Sequence, residues 1–171
     1  MQPHKNVKRL VNSYIFMRDN FNEIQEKLLI VGKTSYGDEV LEIIKNSNYK
    51  DDVIVVGFVP LEDLPSFYSG ATSLVYISLN EGFGMPLAES MACGSPVITS
   101  NVSAMPEVAG DAAILVDPYN TELVAKAMRE VSINHSLRND LIEKGYVRAK
   151  LFTWNNYTGK ILETYKKLLN K

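Results

Sequence analysis

The chain has 171 residues, of which 46% are hydrophobic and 22% charged, with a formal net charge of −2 and a sequence pI near 5.7. This is the composition of one globular domain able to bury a core, and it excludes a nucleic-acid binder that works through bulk positive charge. The single cysteine, Cys93, excludes an intrachain disulfide and fits a reducing compartment, where it reads as a small buried filler.

In chain order, apolar residues at Val7, Leu10, Val11, Tyr14, Ile15 and Met17 form a helical stripe. "KLLIVG" (27–32) is a short apolar run stopped by Gly32 and reads as a buried strand. A helix over 37–47 follows, with Val40, Leu41, Ile43 and Ile44 inward, then a buried strand over 52–60 and a short helix over 61–70 ended by Gly70. Strand 73–78, helix 86–93 and strand 96–100 come next, then a turn around "MPEVAG" and a strand over 112–117. Three helices close the chain: 120–134, opened by an Asn120 or Thr121 cap, then 135–152 and 155–170.

Strands apolar on both faces that alternate with helices predict an α/β domain, a doubly wound, Rossmann-like parallel sheet covered on both sides. Residues 1–171 read as one domain on which the last helices, roughly 134–171, pack. The chain opens on a loop and a helix, however, where such a domain normally has a first strand in mid-sheet. Either strands 27–31 and 73–77 pair directly, or the chain is a piece of something larger. No apolar run reaches the roughly 20 residues of a membrane span and no signal-peptide layout is visible, so the expected location is cytoplasmic.

The chemistry concentrates in "NEGFGMPLAES". A strand ends near Ser78, Gly82 and Gly84 allow the backbone to approach a ligand closely, and Pro86 suits the first turn of a helix. The free N–H groups and positive dipole end of that helix suit an anion, and ligands of doubly wound sheets sit beyond the carboxyl ends of strands. Glu81 and Glu89 stand on either side. A carboxylate beside a phosphate serves to accept hydrogen bonds from hydroxyls, and two hydroxyl-bearing groups around a diphosphate describe a nucleotide sugar. Either glutamate alone would pass for helix-dipole complementation. The coincidence of strand end, glycines, helix start and both acids is what points to a site.

These residues closely resemble the retaining glycosyltransferases of the GT-B fold, whose Glu-x7-Glu motif is often written E-G-F-G-x-P-x-x-E. It stands here as Glu81-Gly82-Phe83-Gly84-Met85-Pro86, ending in Glu89. The flanks "GFVPLEDLPSFYSGA", "MACGSPVITS", "PEVAGDAAILVDP", "FTW" and "PHKN" agree, so the resemblance covers essentially the whole chain.

The resemblance implies the C-terminal, donor-binding half of such an enzyme. Glu81 would contact sugar hydroxyls near the reacting centre, and Glu89 the ribose hydroxyls. Backbone amides of Gly82, Phe83, Gly84, Met85 and Leu87 would hold the sugar and diphosphate. Lys5 would neutralise the diphosphate, although taken singly it reads as a surface lysine, and Val59 would meet the nucleobase. His4 reads as a loop residue, and Phe152 and Trp154 as packing for the last helices. The family often places an arginine just before the lysine, a position that this sequence does not display.

The implied donor is a GDP- or UDP-sugar, with no cofactor and no metal. The implied acceptor is a glycan or lipid-linked hydroxyl held by an N-terminal domain, with possible peripheral membrane association of the full enzyme. Hexosyl, and first of all mannosyl, transfer with retention is the expected reaction, and the chain alone should transfer little or nothing. The rival readings are a donor-binding subunit that needs a separate partner chain, a non-catalytic GT-B-like protein, and a GT-B epimerase or phosphorylase.

Overall fold

The computed structural model describes residues 3–32 and 38–169. A short 3-10 turn, Pro3–Lys5, leads into α1 (Val7–Asn20), β1 (Leu28–Val31), α2 (Asp38–Asn46), β2 (Val53–Gly57), α3 (Leu64–Gly70) and β3 (Leu74–Tyr76). There follow α4 (Met85–Ala92), β4 (Val97–Ser100), α5 (Met105–Ala109), β5 (Ala113–Val116), α6 (Thr121–Ile133), α7 (His135–Ala149) and α8 (Trp154–Leu169). The element order follows the sequence reading, with two additions: the opening loop forms the 3-10 turn and the segment expected as a turn around "MPEVAG" winds into α5. Leu41 of α2, expected inward, is exposed. Gly37, the expected start of the second helix, and Asn170, the expected end of the last, lie outside the described residues.

Every strand pairing is parallel, and the strands form two ladders, β1-β2 and β3-β4-β5. The expected alternative of direct pairing between strands 27–31 and 73–77 is therefore not what forms: β1 and β3 are not hydrogen-bonded neighbours.

What unites the two ladders is a shared core. Side chains alternate across a strand with period two, and the alternation sorts the apolar residues into two clusters. Leu28, Ile30, Val53, Ile77, Ile98 and Val116 all face one cluster together with Val11, Tyr14 and Met17 of α1 and Val124, Met128 and Val131 of α6. The opposite face of β3-β4-β5 contributes Val97, with Leu74, Tyr76 and Ala113 beside it, to a second cluster with Leu87 and Met91 of α4 and Met105 and Val108 of α5. Helix α1 thus lies beneath both ladders, while the second layer covers only the three-stranded one.

The expectation that all strands are buried on both faces holds for β4 alone. Leu29 and Val31 of β1 and Ile54 of β2 are 47%, 38% and 41% exposed, because they point away from the shared core. An all-apolar strand of four residues fits either situation, so the sequence could not tell them apart.

The ends of α1 are tied to the sheet by polar contacts. The Tyr14 hydroxyl donates to the Glu26 carbonyl at 2.8 Å, and Arg18 bridges the Tyr14 hydroxyl (2.8 Å) and the Asp52 carboxylate (3.0 Å). At the other end Asn6, at φ 57, donates through its side-chain amide to the carbonyls of Ile77 (3.2 Å) and Pro118 (2.8 Å). Helix α7 buries Leu141 and Gly145, the latter against Met91 of α4. Helix α8 has no buried residue, and Trp154, expected to pack, is 80% exposed.

Gly94 ends α4 at φ +74, and a Cβ placed there would lie 2.1 Å from the Tyr146 hydroxyl. Tyr146 is 43% exposed and can swing aside, so backbone strain is the main cost of a side chain at this position. Gly94→Ala is expected to lower the unfolding free energy by roughly 1–2 kcal/mol. This would be read as a reduced urea midpoint with an unchanged slope, and a midpoint equal to wild type would show that the left-handed turn is not required.

Candidate active site

The loop between β3 and α4 carries the motif. Gly84 adopts φ 94 and ψ 53, a left-handed geometry that favours glycine, and is the N-cap of α4. The helix begins at Met85, so Pro86 sits at its second rather than its first position, where its missing N–H still costs no helical bond. Gly82, Phe83 and Met85 are exposed and Gly84 is buried. The Leu87 side chain is buried in the second cluster and its amide donates to the Gly84 carbonyl at 2.9 Å. Of the segment expected to face a diphosphate, the exposed part is therefore residues 82, 83 and 85.

Glu81 stands just past the end of β3. Three donors converge on its Oε1: the Lys5 ammonium, the Tyr76 hydroxyl and the Ser78 hydroxyl, each at 2.7 Å. Lys5 also donates to the Tyr76 hydroxyl at 2.5 Å. Burial alone would raise the Glu81 pKa, but the hydrogen bonds from Lys5, Tyr76 and Ser78 outweigh it and hold the carboxyl below its ordinary value of 4.5. Burial alone would lower the Lys5 pKa, and its bonds to Glu81 and Tyr76 turn the balance upward from 10.5. The Tyr76 phenol is raised, first by burial.

Backbone contacts place Lys5. The Leu79 amide donates to the His4 carbonyl at 2.7 Å, and Asn6 is clamped to Ile77 and Pro118 as described. The far side of the loop is held by Ser103, at φ 58. Its hydroxyl bonds to the Glu81 amide and carbonyl and to Asn80 Oδ1 at 2.9–3.0 Å.

Glu89 lies one turn into α4 and is partly buried. Its Oε2 accepts from the Tyr68 hydroxyl of α3 at 2.9 Å. Burial, then the bond to Glu89, push the Tyr68 phenol well above its ordinary range. Among the described residues no hydrogen bond reaches the other oxygen of either acid, Glu81 Oε2 or Glu89 Oε1. Val59, expected at the base end, follows β2 and is 9% exposed, while Phe58 before it is 70% exposed.

Phe83 meets Phe152 edge-to-face, with ring centroids 5.3 Å apart, and the Arg148 guanidinium lies 5.4 Å from the Phe152 ring centroid. A cavity of about 710 Å³ opens on this side, lined by Gly82, Phe83, Arg148, Phe152, Asn156 and Lys160 among others, and neither motif glutamate belongs to it. Among the described residues no group of three or more His, Cys, Asp or Glu is placed to hold a metal ion.

Residues 1–148 match the family described as "Glycosyl transferases group 1". The chain belongs to that family. Within it, the chain is 34% identical over 169 residues to O-antigen chain mannosyltransferase B of Escherichia coli, covering 98% of this chain and 44% of that protein. It thus spans less than half the length of that relative. Among solved structures it is similar to sucrose-phosphate synthase from Thermosynechococcus elongatus, with a TM-score of 0.81 and 26% identity over 98% of this chain and 43% of that one. Anabaena HepE, solved in complex with UDP-glucose, shares the fold with a TM-score of 0.84 at 18% identity, over 98% of this chain and 46% of that one.

The architecture is accordingly that of the Rossmann-like C-terminal half of a GT-B group 1 glycosyltransferase. No described helix is long and apolar enough to cross a membrane. The structure brings Lys5 and Glu81 together. Sequence reasoning missed Tyr68, Tyr76, Ser78, Asn6 and Ser103. The hydroxyls at 76 and 78 share one side of an apolar segment with period two, a signal that was available. Tyr68 had none, since only the packing of α3 on α4 gives it a partner.

Glu81 has a lower pKa folded than unfolded, so its contribution to stability is fully present above 4.5 and is lost as pH falls through the folded value. The raised pKa of Lys5 contributes stability that is present below 10.5 and lost as pH rises through its folded value. Urea unfolding followed from about pH 5 down to pH 3 is expected to show a shallower loss of stability for Glu81→Gln than for wild type. Parallel curves would show that the cluster on Oε1 does not favour the ionised acid.

Proposed function

We propose that the chain is the donor-binding half of a glycosyltransferase that moves a hexose from a nucleoside diphosphate to an acceptor hydroxyl, with retention at the anomeric carbon. The observation that carries this reading is the placing of Glu81 and Glu89 on either side of the Gly-Phe-Gly turn and the start of α4, each held through one oxygen. A carboxylate so held keeps a fixed aim while its other oxygen accepts from ligand hydroxyls.

Glu81 would take the hexose hydroxyls and Glu89 the ribose. The amides of the 82–87 segment and the N-terminus of α4 would face the diphosphate, with the base beside Val59. An ammonium has three N–H donors, and Tyr76 and Glu81 use two of those of Lys5. The third can reach a phosphate oxygen without breaking the ion pair. As the sugar–phosphate bond opens, negative charge grows on the leaving diphosphate, and preorganised donors lower that barrier without reorganising. No cofactor or metal has a part in this proposal.

The relative's name, a mannosyltransferase, favours GDP-mannose as donor, followed by UDP-hexoses. The UDP-glucose held by HepE, a protein of the same fold, is in line with a nucleotide sugar. A glycan or lipid-linked acceptor would be presented by a separate N-terminal domain, at a membrane surface on the cytoplasmic side. The chain by itself is expected to bind donor and to transfer little or none of it.

Calorimetric titration of GDP, UDP and their hexose conjugates tests the assignment. Glu89→Ala is expected to weaken binding of the bare nucleotide about tenfold, the cost of a lost bond to a charged group. Glu81→Ala should leave the bare nucleotide unchanged and weaken the sugar conjugate by a similar factor. Equal losses for the bare nucleotide in both variants would overturn the two roles.

A further inference from the structure

Among the described residues the acid assigned to the ribose end has one hydrogen-bonding anchor, and it comes from an element outside the motif. Tyr68 lies on α3, between the Gly57-Phe58-Val59 segment and β3, and its hydroxyl donates to Glu89 Oε2 at 2.9 Å. Among the described residues this is the only hydrogen bond to the Glu89 carboxylate. A glutamate has three side-chain torsions and loses rotamer entropy when fixed. A ligand that met a free Glu89 would bear that loss on binding, whereas a carboxylate already bonded through one oxygen has lost it on folding.

We propose that Tyr68 is a positioning residue for nucleotide recognition: it fixes the Glu89 carboxylate through Oε2 so that Oε1 is presented to the vicinal hydroxyls of a ribose. The inference rests on the donor-site reading given above. It adds that α3 aims the ribose-binding acid and, because only residues 60–63 separate α3 from Val59, links the base end of the site to the ribose end. Tyr68 need not touch the nucleotide. Its effect passes through Glu89, so it must depend on two things: the ligand's hydroxyls and the presence of the acid.

The full chain as Tyr68→Phe keeps the ring that packs α3 and removes only the hydroxyl. Affinities for GDP and UDP, and for their 2′,3′-dideoxy analogues, would be measured by calorimetry with wild type, Tyr68→Phe, Glu89→Ala and the double variant, after circular dichroism has shown all four folded. Tyr68→Phe is expected to weaken the ribonucleotide roughly fivefold to tenfold, within the net span of an ordinary hydrogen bond, and to leave the dideoxy analogue unchanged. In the Glu89→Ala background the same substitution should add nothing.

A loss equal for the two ligands, or one that persists without Glu89, would assign Tyr68 to the packing of α3 and overturn the proposal. So would wild-type affinity in Tyr68→Phe, which would leave the donor site itself standing. Absence of nucleotide binding by wild type would remove the donor-site reading and this inference together.

Discussion

The constraint on which the site depends is the cost of placing the Glu81 carboxylate, with 14% of its side chain exposed, at the end of a strand. A carboxylate withdrawn from water needs donors, or it takes up a proton. Lys5, Tyr76 and Ser78 meet that need on one oxygen. They come from two places separated in sequence, the turn before α1 and the end of β3, so the polar cluster also closes the chain's first turn onto the sheet. The charge state of Glu81, the position of Lys5 and the course of the loop toward α4 follow from one set of short contacts.

That closure needs α1 to be rigidly seated, which the packing provides. The two ladders share no hydrogen bond between β1 and β3. They share instead the apolar face beneath them, into which α1 inserts Val11, Tyr14 and Met17. Burial of a large apolar side chain contributes about 1.5–3 kcal/mol, so a few such residues outweigh the roughly 1 kcal/mol net of a backbone hydrogen bond. The N-cap of the helix fixed in this way is Asn6, whose amide spans the carbonyls of Ile77 and Pro118, and Lys5 is the residue immediately before it. The hydrophobic core therefore sets where the site's lysine stands.

The legible part of this structure was that written in local pattern. Element order follows from apolar runs and glycines, and the place of the motif from the glycines and proline around it. What stayed hidden depends on tertiary pairing. "LLIV" in β1 is wholly apolar and "VITS" in β4 half polar, yet only the second is covered on both faces, because coverage is decided by which helices pack on each face: α4 and α5 close the second face of β4. Trp154 was expected to pack because it is large and apolar, but it lies on a helix that buries none of its residues. The hydroxyls of Tyr68 and Tyr76 gain their meaning only when α3 and β3 come to lie beside α4 and the first turn. A tyrosine in a sequence carries no mark of which acid it will meet.

The arrangement also answers how a chain of net charge −2 could hold an anionic ligand between two carboxylates. An uncompensated carboxylate about 6 Å from a phosphate charge would cost roughly 3 kcal/mol at an effective dielectric of 20, and even one would exceed the up to about 2 kcal/mol that a helix terminus supplies. Glu81 is not uncompensated, since Lys5 neutralises it at 2.7 Å and retains a free N–H. Glu89 stands past the first turn of α4, and among the described residues its carboxylate is held by the Tyr68 hydroxyl. Each acid is bonded through one oxygen where it stands, and among the described residues the other oxygen of each accepts no hydrogen bond. Under the proposed function, selectivity for a ligand with an anionic middle and hydroxylated ends would rest on local pairing, and the net charge of the chain would have little bearing on it.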